Sequence, residues 1–348
     1  MAKKGKKKQL KRQNVIIGTI AVVVLVAVVA ALAVLRGQKM ANRETVTLYI
    51  ATGSDYATVV DSLEAHGCIG NKMVFNTMAR IRNYKDNVKG GCYVLKPEDK
   101  VWNVLTKLYC GNQDAIRLTI NKYRTKRQLC DYIGRRLEME SDTLLQLLED
   151  EAVCAEYGFN KATIIGMFPQ NTYEIYWNTT PQQLIKRMAQ ERDRFWNAQR
   201  TAKAKALGMN KEEVYTLASI VDAETANNAE KPTVAGLYLN RLKKGMLLQA
   251  DPTVKFALQD FGLRRIYGYM LTTPSPYNTY LHKGLPPGPI RVPQTSSIDA
   301  VLNAATHDYL YMCANSDFSG THAFAATYSE HLRNAARYVR ALNERGIK

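Results

Sequence analysis

Residues 15–35 read VIIGTIAVVVLVAVVAALAVL, an apolar run with no charge in it. At about 1.5 Å per residue, a helix of that length spans roughly 30 Å, the thickness of a bilayer core. The run is longer than the apolar part of a cleavable signal. Arg36 and Lys39 follow at once with no clean small-residue cleavage site, so it reads as an uncleaved anchor. A polar stalk at 36–45 leads to the β-rich stretch 46–51 and a Gly53-Ser54-Asp55 turn with a helix cap. Helical stripes follow at 56–66 and 71–83. Gly90-Gly91 then precedes a strand-like stretch at 92–95, and Pro97 opens a helix through 110. A β-α-α-β-α order of this kind predicts a small α+β module.

Beyond it the pattern predicts a strand over 114–121, helices over 126–137 and 141–150, and a domain boundary near 155. Residues 164–174 (IIGMFPQNTYE) read as an ordered loop because of their Pro and Asn. A long helix is expected over 181–208, another over 214–225, and a third over 229–244 with Pro232 in its first turn and Gly245 as its stop. From Met246 the texture changes. A polar turn at 249–254 enters a short helix, then come PSPYNTY at 274–280, GLPPGPI at 284–290, and Pro293. Eight of the eleven prolines lie after position 200. Loops this rich in Pro and Gly are stiff, and the Tyr, Asn and Thr among them suit the wall of a groove. A strand at 308–314, THAF at 321–324 and a closing helix over 327–345 complete an α+β chain. The expected segments are a basic tail 1–14, a transmembrane helix 15–35, a stalk 36–45, an α+β module with connecting helices 46–155, and a larger α+β domain 156–348.

Charge adds direction. The net charge is +17, of which Lys3, Lys4, Lys6, Lys7, Lys8, Lys11 and Arg12 contribute seven, leaving +10 beyond the apolar run. Basic residues concentrated on one side of a span place that side in the cytoplasm, so everything after Arg36 is expected outside it. Next to a membrane span, the cluster reads as a topology and lipid signal, and no nucleic-acid partner is expected. Six scattered cysteines (Cys68, Cys92, Cys110, Cys130, Cys154, Cys313) show no metal spacing and select no disulfide pairing.

The chain has five histidines and no HExxH, so no metal is expected. It lacks GxSxG, GxxxxGK[ST] and GxGxxG, which sets aside the commonest serine hydrolase and nucleotide sites; no cofactor is expected. What remains is a carboxylate. In VYTLASIVDAET (214–225) the stripe Val214, Leu217, Ala218, Val221 continues to Glu224. A carboxyl on a buried stripe stays protonated unless it finds a cation, and a protonated carboxyl near neutral pH is a general acid. Asp222 lies roughly 200° away round the helix and reads as a helix-end or supporting residue. On the helix pattern alone a second reading of Glu224 stands level with the first, a solvent-exposed residue at a fraying helix end.

The motifs LASIVDAET, VAGLYLNRLKKGMLLQADPTV, PSPYNTY and GLPPGPI, with FPQNTY before them and THAF after, closely resemble the endolytic murein transglycosylases, the YceG-like family. The match is specific over 164–324 and loose over 46–155, where the small module resembles the LysM-like modules of some cell-wall enzymes. The resemblance implies a bacterial inner-membrane enzyme facing the periplasm. It would cut nascent peptidoglycan strands internally, leave 1,6-anhydro-N-acetylmuramic acid ends, and so terminate glycan elongation. The expected partners are glycan strands, the inner membrane, and peptidoglycan synthases of the elongation or division machinery. The family's catalytic glutamate aligns with Glu224; Gln249, Asp251, Tyr277, Asn278 and His322 align with motifs that line or support the cleft. The chain departs from the family pattern at Asp222, often Glu there, and at Gln170-Asn171, where Asp commonly follows Phe-Pro. Two other classes remain in view: a non-catalytic tethered glycan-binding scaffold, and a hydrolytic muramidase of the same fold.

Overall fold

In the computed structural model, residues 2–263 and 265–346 are described, with side chains from residue 12 onward. Residues 1 and 348, the outer limits of the expected segments, and the Lys3–Lys11 side chains of the basic cluster lie outside the described set. The chain divides into two compact units. One comprises residues 1–116 with 175–178, the other 117–174 with 179–348.

The first unit begins with α1 (Ala2–Gly37), in which residues 12–37 are apolar enough to cross a membrane and none is buried, although Leu35 packs on the unit's core. The tail and the span expected on either side of residue 14 form one continuous helix. β1 (Val46–Ile50), α2 (Tyr56–Ala65), α3 (Lys72–Ile81), β2 (Gly91–Leu95) and α4 (Val101–Cys110) follow in the expected order. β1 and β2 pair antiparallel, with Val46 opposite Leu95 and Ile50 opposite Gly91. Leu48, Leu63, Met78, Tyr93, Leu95 and Leu105 make a closed core beneath them. Residues 175–178 join this unit through Trp177 against Tyr49 and through Asn178, which donates to Gly90 O at 3.2 Å.

The second unit starts near 117, not near 155. β3 (Ile116–Ile120) pairs with β4 (Asn171–Ile175), and that long-range pairing draws α5 (Lys126–Arg136), α6 (Ser141–Glu149) and α7 (Glu151–Glu156) into the larger body. The stretch read as an ordered loop therefore contains a short 3-10 turn (Ile164–Met167) and a strand. The helix expected over 181–208 is two helices, α8 (Pro181–Phe195) and α9 (Ala198–Ala206). It breaks at Trp196, which turns into the core, and at Asn197, whose side chain caps α9.

α10 (Lys211–Glu224) is the centre of this unit. It starts three residues earlier than the apolar pattern indicates, because Asn210 and Glu213 cap each other reciprocally at 2.9 and 2.8 Å. All nine residues from Val214 to Asp222 are buried, so this is a core helix, not one with a single apolar face. α11 (Lys231–Lys243), α12 (Asp251–Leu258) and α13 (Thr295–Leu302) pack round it. β5 (Tyr311–Ala314) and β6 (His322–Ala325) form an antiparallel hairpin, and α14 (Tyr328–Glu344) closes the chain. The Pro-rich loop docks on α10 where Ile290 N donates to Ser219 Oγ at 3.0 Å. Gly288 is required there, since a Cβ would stand 2.2 Å from Ala162 O.

Candidate active site

α10 ends at Glu224 because Thr225 turns extended (φ −135°) and its hydroxyl accepts from Asn227 N at 3.1 Å. The turn that follows brings Glu230 and Lys231 back beside the helix end. Glu224 is thus both the last residue of its helix and the floor of a cleft of about 240 Å³. Of the residues singled out in the sequence, Glu224, Gln249, Asp251 and His322 share this cleft. Tyr238, Arg241 and Tyr280 complete it, and none of these was identified from the sequence. Tyr238 and Arg241 fall three apart on one face of α11, where a phenol and a guanidinium on an otherwise apolar stripe were the available signal.

Tyr238 donates to Glu224 Oε1 at 2.6 Å. Burial is the largest influence on Glu224 and pushes its pKa up to about 7, with Asp251 adding to the rise. The Tyr238 bond, His322 and Lys255 act in the opposite direction without reversing it. The negative end of the α10 dipole also favours the neutral acid. The residue keeps part of its surface open to the cleft, so the acid is desolvated yet reachable. The reading as a freely solvated helix end is thereby corrected.

Other groups hold the walls. Tyr280 donates to Asp251 Oδ1 at 2.6 Å. Buried Arg241 donates to the carbonyls of Leu310 at 2.5 Å and Leu248 at 2.8 Å and to Gln249 Oε1 at 3.2 Å, tying two segments to α11. Gln249 carries a left-handed backbone (φ +52°), a strained conformation for a side chain-bearing residue that this network maintains. Glu230, buried, accepts from His322 N at 2.6 Å and pairs with His322 Nδ1 at 3.0 Å, which fixes the ring at the cleft edge.

Three expected residues lie elsewhere. Asp222 faces away from the cleft. Its Oδ1 accepts from Ser297 Oγ at 2.7 Å and Gln294 N at 3.3 Å and is 3.5 Å from Lys231 Nζ, while Arg291 Nε stands 3.3 Å from Oδ2. Asn278 is fully buried; its amide donates to Leu271 O and Thr273 O, both at 2.9 Å, and its Oδ1 accepts from Tyr280 N at 3.0 Å. It shapes the loop that presents Tyr280. Tyr277 packs on Phe256 at 4.6 Å between ring centroids. Among the described residues, no three His, Cys, Asp or Glu side chains gather closely enough to hold a metal ion, and all six cysteines are free thiols.

A family model described as the YceG-like family matches residues 48–337. An endolytic murein transglycosylase of Streptococcus pneumoniae is 27% identical over 329 residues, covering 86% of this chain but 59% of the relative's own length. One of Bacillus subtilis is 27% identical over 323 residues, covering 87% of this chain and 88% of its own. A crystal structure of a YceG-like protein from Listeria monocytogenes matches with a TM-score of 0.57 and 28% identity, covering 84% of this chain and 99% of that one. With the family match running from the first strand to the closing helix, the chain belongs to the YceG-like family.

Proposed function

We propose that this chain is a membrane-anchored lytic transglycosylase that cuts peptidoglycan glycan strands internally. The observation that carries the reading is a carboxyl with a pKa of about 7 on the floor of an open polar cleft. The relatives' names support the substrate. Glu224 protonates the glycosidic oxygen as the bond to C1 of the muramyl sugar breaks. As a carboxylate it then takes the proton of the same sugar's C6 hydroxyl, whose oxygen closes on C1. No water is consumed, and a 1,6-anhydro end results. Tyr238 supports both stages, since its hydroxyl stabilises the carboxylate between the two proton transfers. α1 supplies the anchor, with its basic end on the cytoplasmic side. The first unit acts as a LysM-like glycan-binding module, and synthases of the elongation or division machinery supply the nascent strand whose growth the cut terminates.

A second reading has one observation in its favour. Asp251 lines the same cleft, and paired carboxylates serve hydrolytic glycosidases. Digesting purified peptidoglycan with the full chain in detergent, followed by mass analysis, separates the two. Ends lighter by one water support the transglycosylase; ordinary reducing muramic ends support hydrolysis. An absence of new ends leaves a non-catalytic scaffold as the answer.

A further inference from the structure

On the other side of the α10 terminus lies a second cleft, of about 100 Å³, lined by Ala223, Arg124, Lys255, Phe256, Phe261 and Arg291. Ala223 borders this cleft and Glu224 the first, so the two open on either side of one helical turn. α12 spans them as well, with Asp251 in the first and Lys255 in the second, about 6 Å apart along the helix.

The second cleft has an excess of positive charge. Arg124, Lys255 and Arg291 are half-buried at its wall. Arg291 pairs with Asp222, which it shares with buried Lys231, while Lys255 acts on Glu224 from a distance. Burial is the main reason Arg291 and Lys231 hold their protons less tightly, and Arg124 and Lys122 respectively add to it. Lys255 makes no ion pair within 4 Å among the described residues. The Arg124 guanidinium carbon lies 4.8 Å from the Phe261 ring centroid and its Nη1 donates to Phe261 O at 3.2 Å, which leaves the rest of its fork for the cleft. Cations crowded into a partly desolvated cleft repel one another unless an anion joins them. Beside them Phe256 and Phe261 give an apolar wall.

We infer that this cleft is an anion subsite for the carboxylates of the peptide stems that branch from the glycan strand. The inference rests on the proposed peptidoglycan substrate. A strand laid across the helix end places the scissile bond over Glu224 and the adjoining stem over Lys255, Arg124 and Arg291, with the stem's aliphatic part against the two phenylalanines. The subsite thereby sets the register of the cut relative to a stem.

The test uses the full chain in detergent and two substrates: purified glycan strands with intact stems, and the same strands after carbodiimide coupling has converted stem carboxylates to neutral amides. Wild type is expected to show a KM about fivefold higher on the amidated strands with kcat little changed. Arg124→Gln is expected to raise KM on intact strands and leave KM on amidated strands unchanged, so that the two substrates become equivalent; Lys255→Gln, which also removes a charge acting on Glu224, is expected to lose the preference between the two substrates whatever its rate. Equal KM for wild type on both substrates, or a Lys255→Gln variant that keeps the full preference, overturns the subsite and leaves the transglycosylase reading intact. Failure of wild type to cleave either substrate overturns both.

Discussion

Asp222 and Glu224 stand two residues apart at the end of α10 and meet opposite surroundings. Asp222 is completely enclosed and has two cations, a hydroxyl and a backbone amide for partners. Glu224 has one phenol, no cation within ion-pair distance among the described residues, and an open cleft in front of it. A buried carboxylate surrounded by cations and hydrogen-bond donors serves as a fastener, here between α10, α11 and the 291–297 segment. A buried carboxyl given only a hydrogen bond keeps its proton to higher pH and can deliver it. Both residues are carboxyls at the end of one helix, so the placement of cations and the opening to the cleft decide the role of each.

The largest expected effect breaks the Glu224 side. Glu224→Gln keeps the shape and removes the proton, so glycan cleavage should fall by about 10²–10⁴-fold while strand binding persists. Full activity in a product assay would remove Glu224 from the mechanism. On the other side, Asp222→Ala leaves buried Lys231 and half-buried Arg291 without their counter-charge. A stability loss of roughly 3–5 kcal/mol is expected in denaturant unfolding, with little or no folded protein the extreme case. A loss under about 1 kcal/mol would show that the cations are solvated after all.

Smaller changes sharpen the contrast. Tyr238→Phe removes the bond that favours the carboxylate, so Glu224 should hold its proton to still higher pH. The alkaline limb of the rate profile moves upward while kcat falls, by about tenfold for one charge-assisted hydrogen bond. An unmoved limb would mean that the phenol does not act on the acid. The smallest effect is on stability. Folding raises the Glu224 pKa from 4.5 to about 7, so between those values the folded chain holds a proton that the unfolded chain has released. Stability from this source is therefore full below 4.5, declines as pH rises through that window, and is lost above it. Glu224→Gln should melt several degrees higher than wild type at pH 8 and show no such gain at pH 4. The same gain at both pH values would contradict the assignment.

Much of this arrangement is legible in the sequence, for local reasons. The apolar span, the β-α-α-β-α order and the stop at Glu224 follow from periodicity and caps within a few residues. What escaped depends on contacts between distant segments. β4 is a strand because β3 pairs with it from some fifty residues away, and that pairing moves the unit boundary from near 155 to near 117. The break at Trp196 exists because the core has room for an indole there. Tyr238, Arg241 and Tyr280 lie inside the quoted motifs but nothing in the local pattern singles them out, and Glu230 lies outside the motifs; they belong to the site because α11 and the 274–280 loop fold back on the α10 terminus. The carried-over Tyr277 and Asn278 shape the neighbouring loop, and Tyr280 reaches the cleft in their place.

The most direct test of the account is the titration of Glu224 itself. With carboxyl-¹³C-labelled glutamate, the NMR resonance absent from Glu224→Gln identifies the residue in wild type. A midpoint near 7 is expected. A midpoint at or below about 5, the range of an ordinary glutamate, would contradict it.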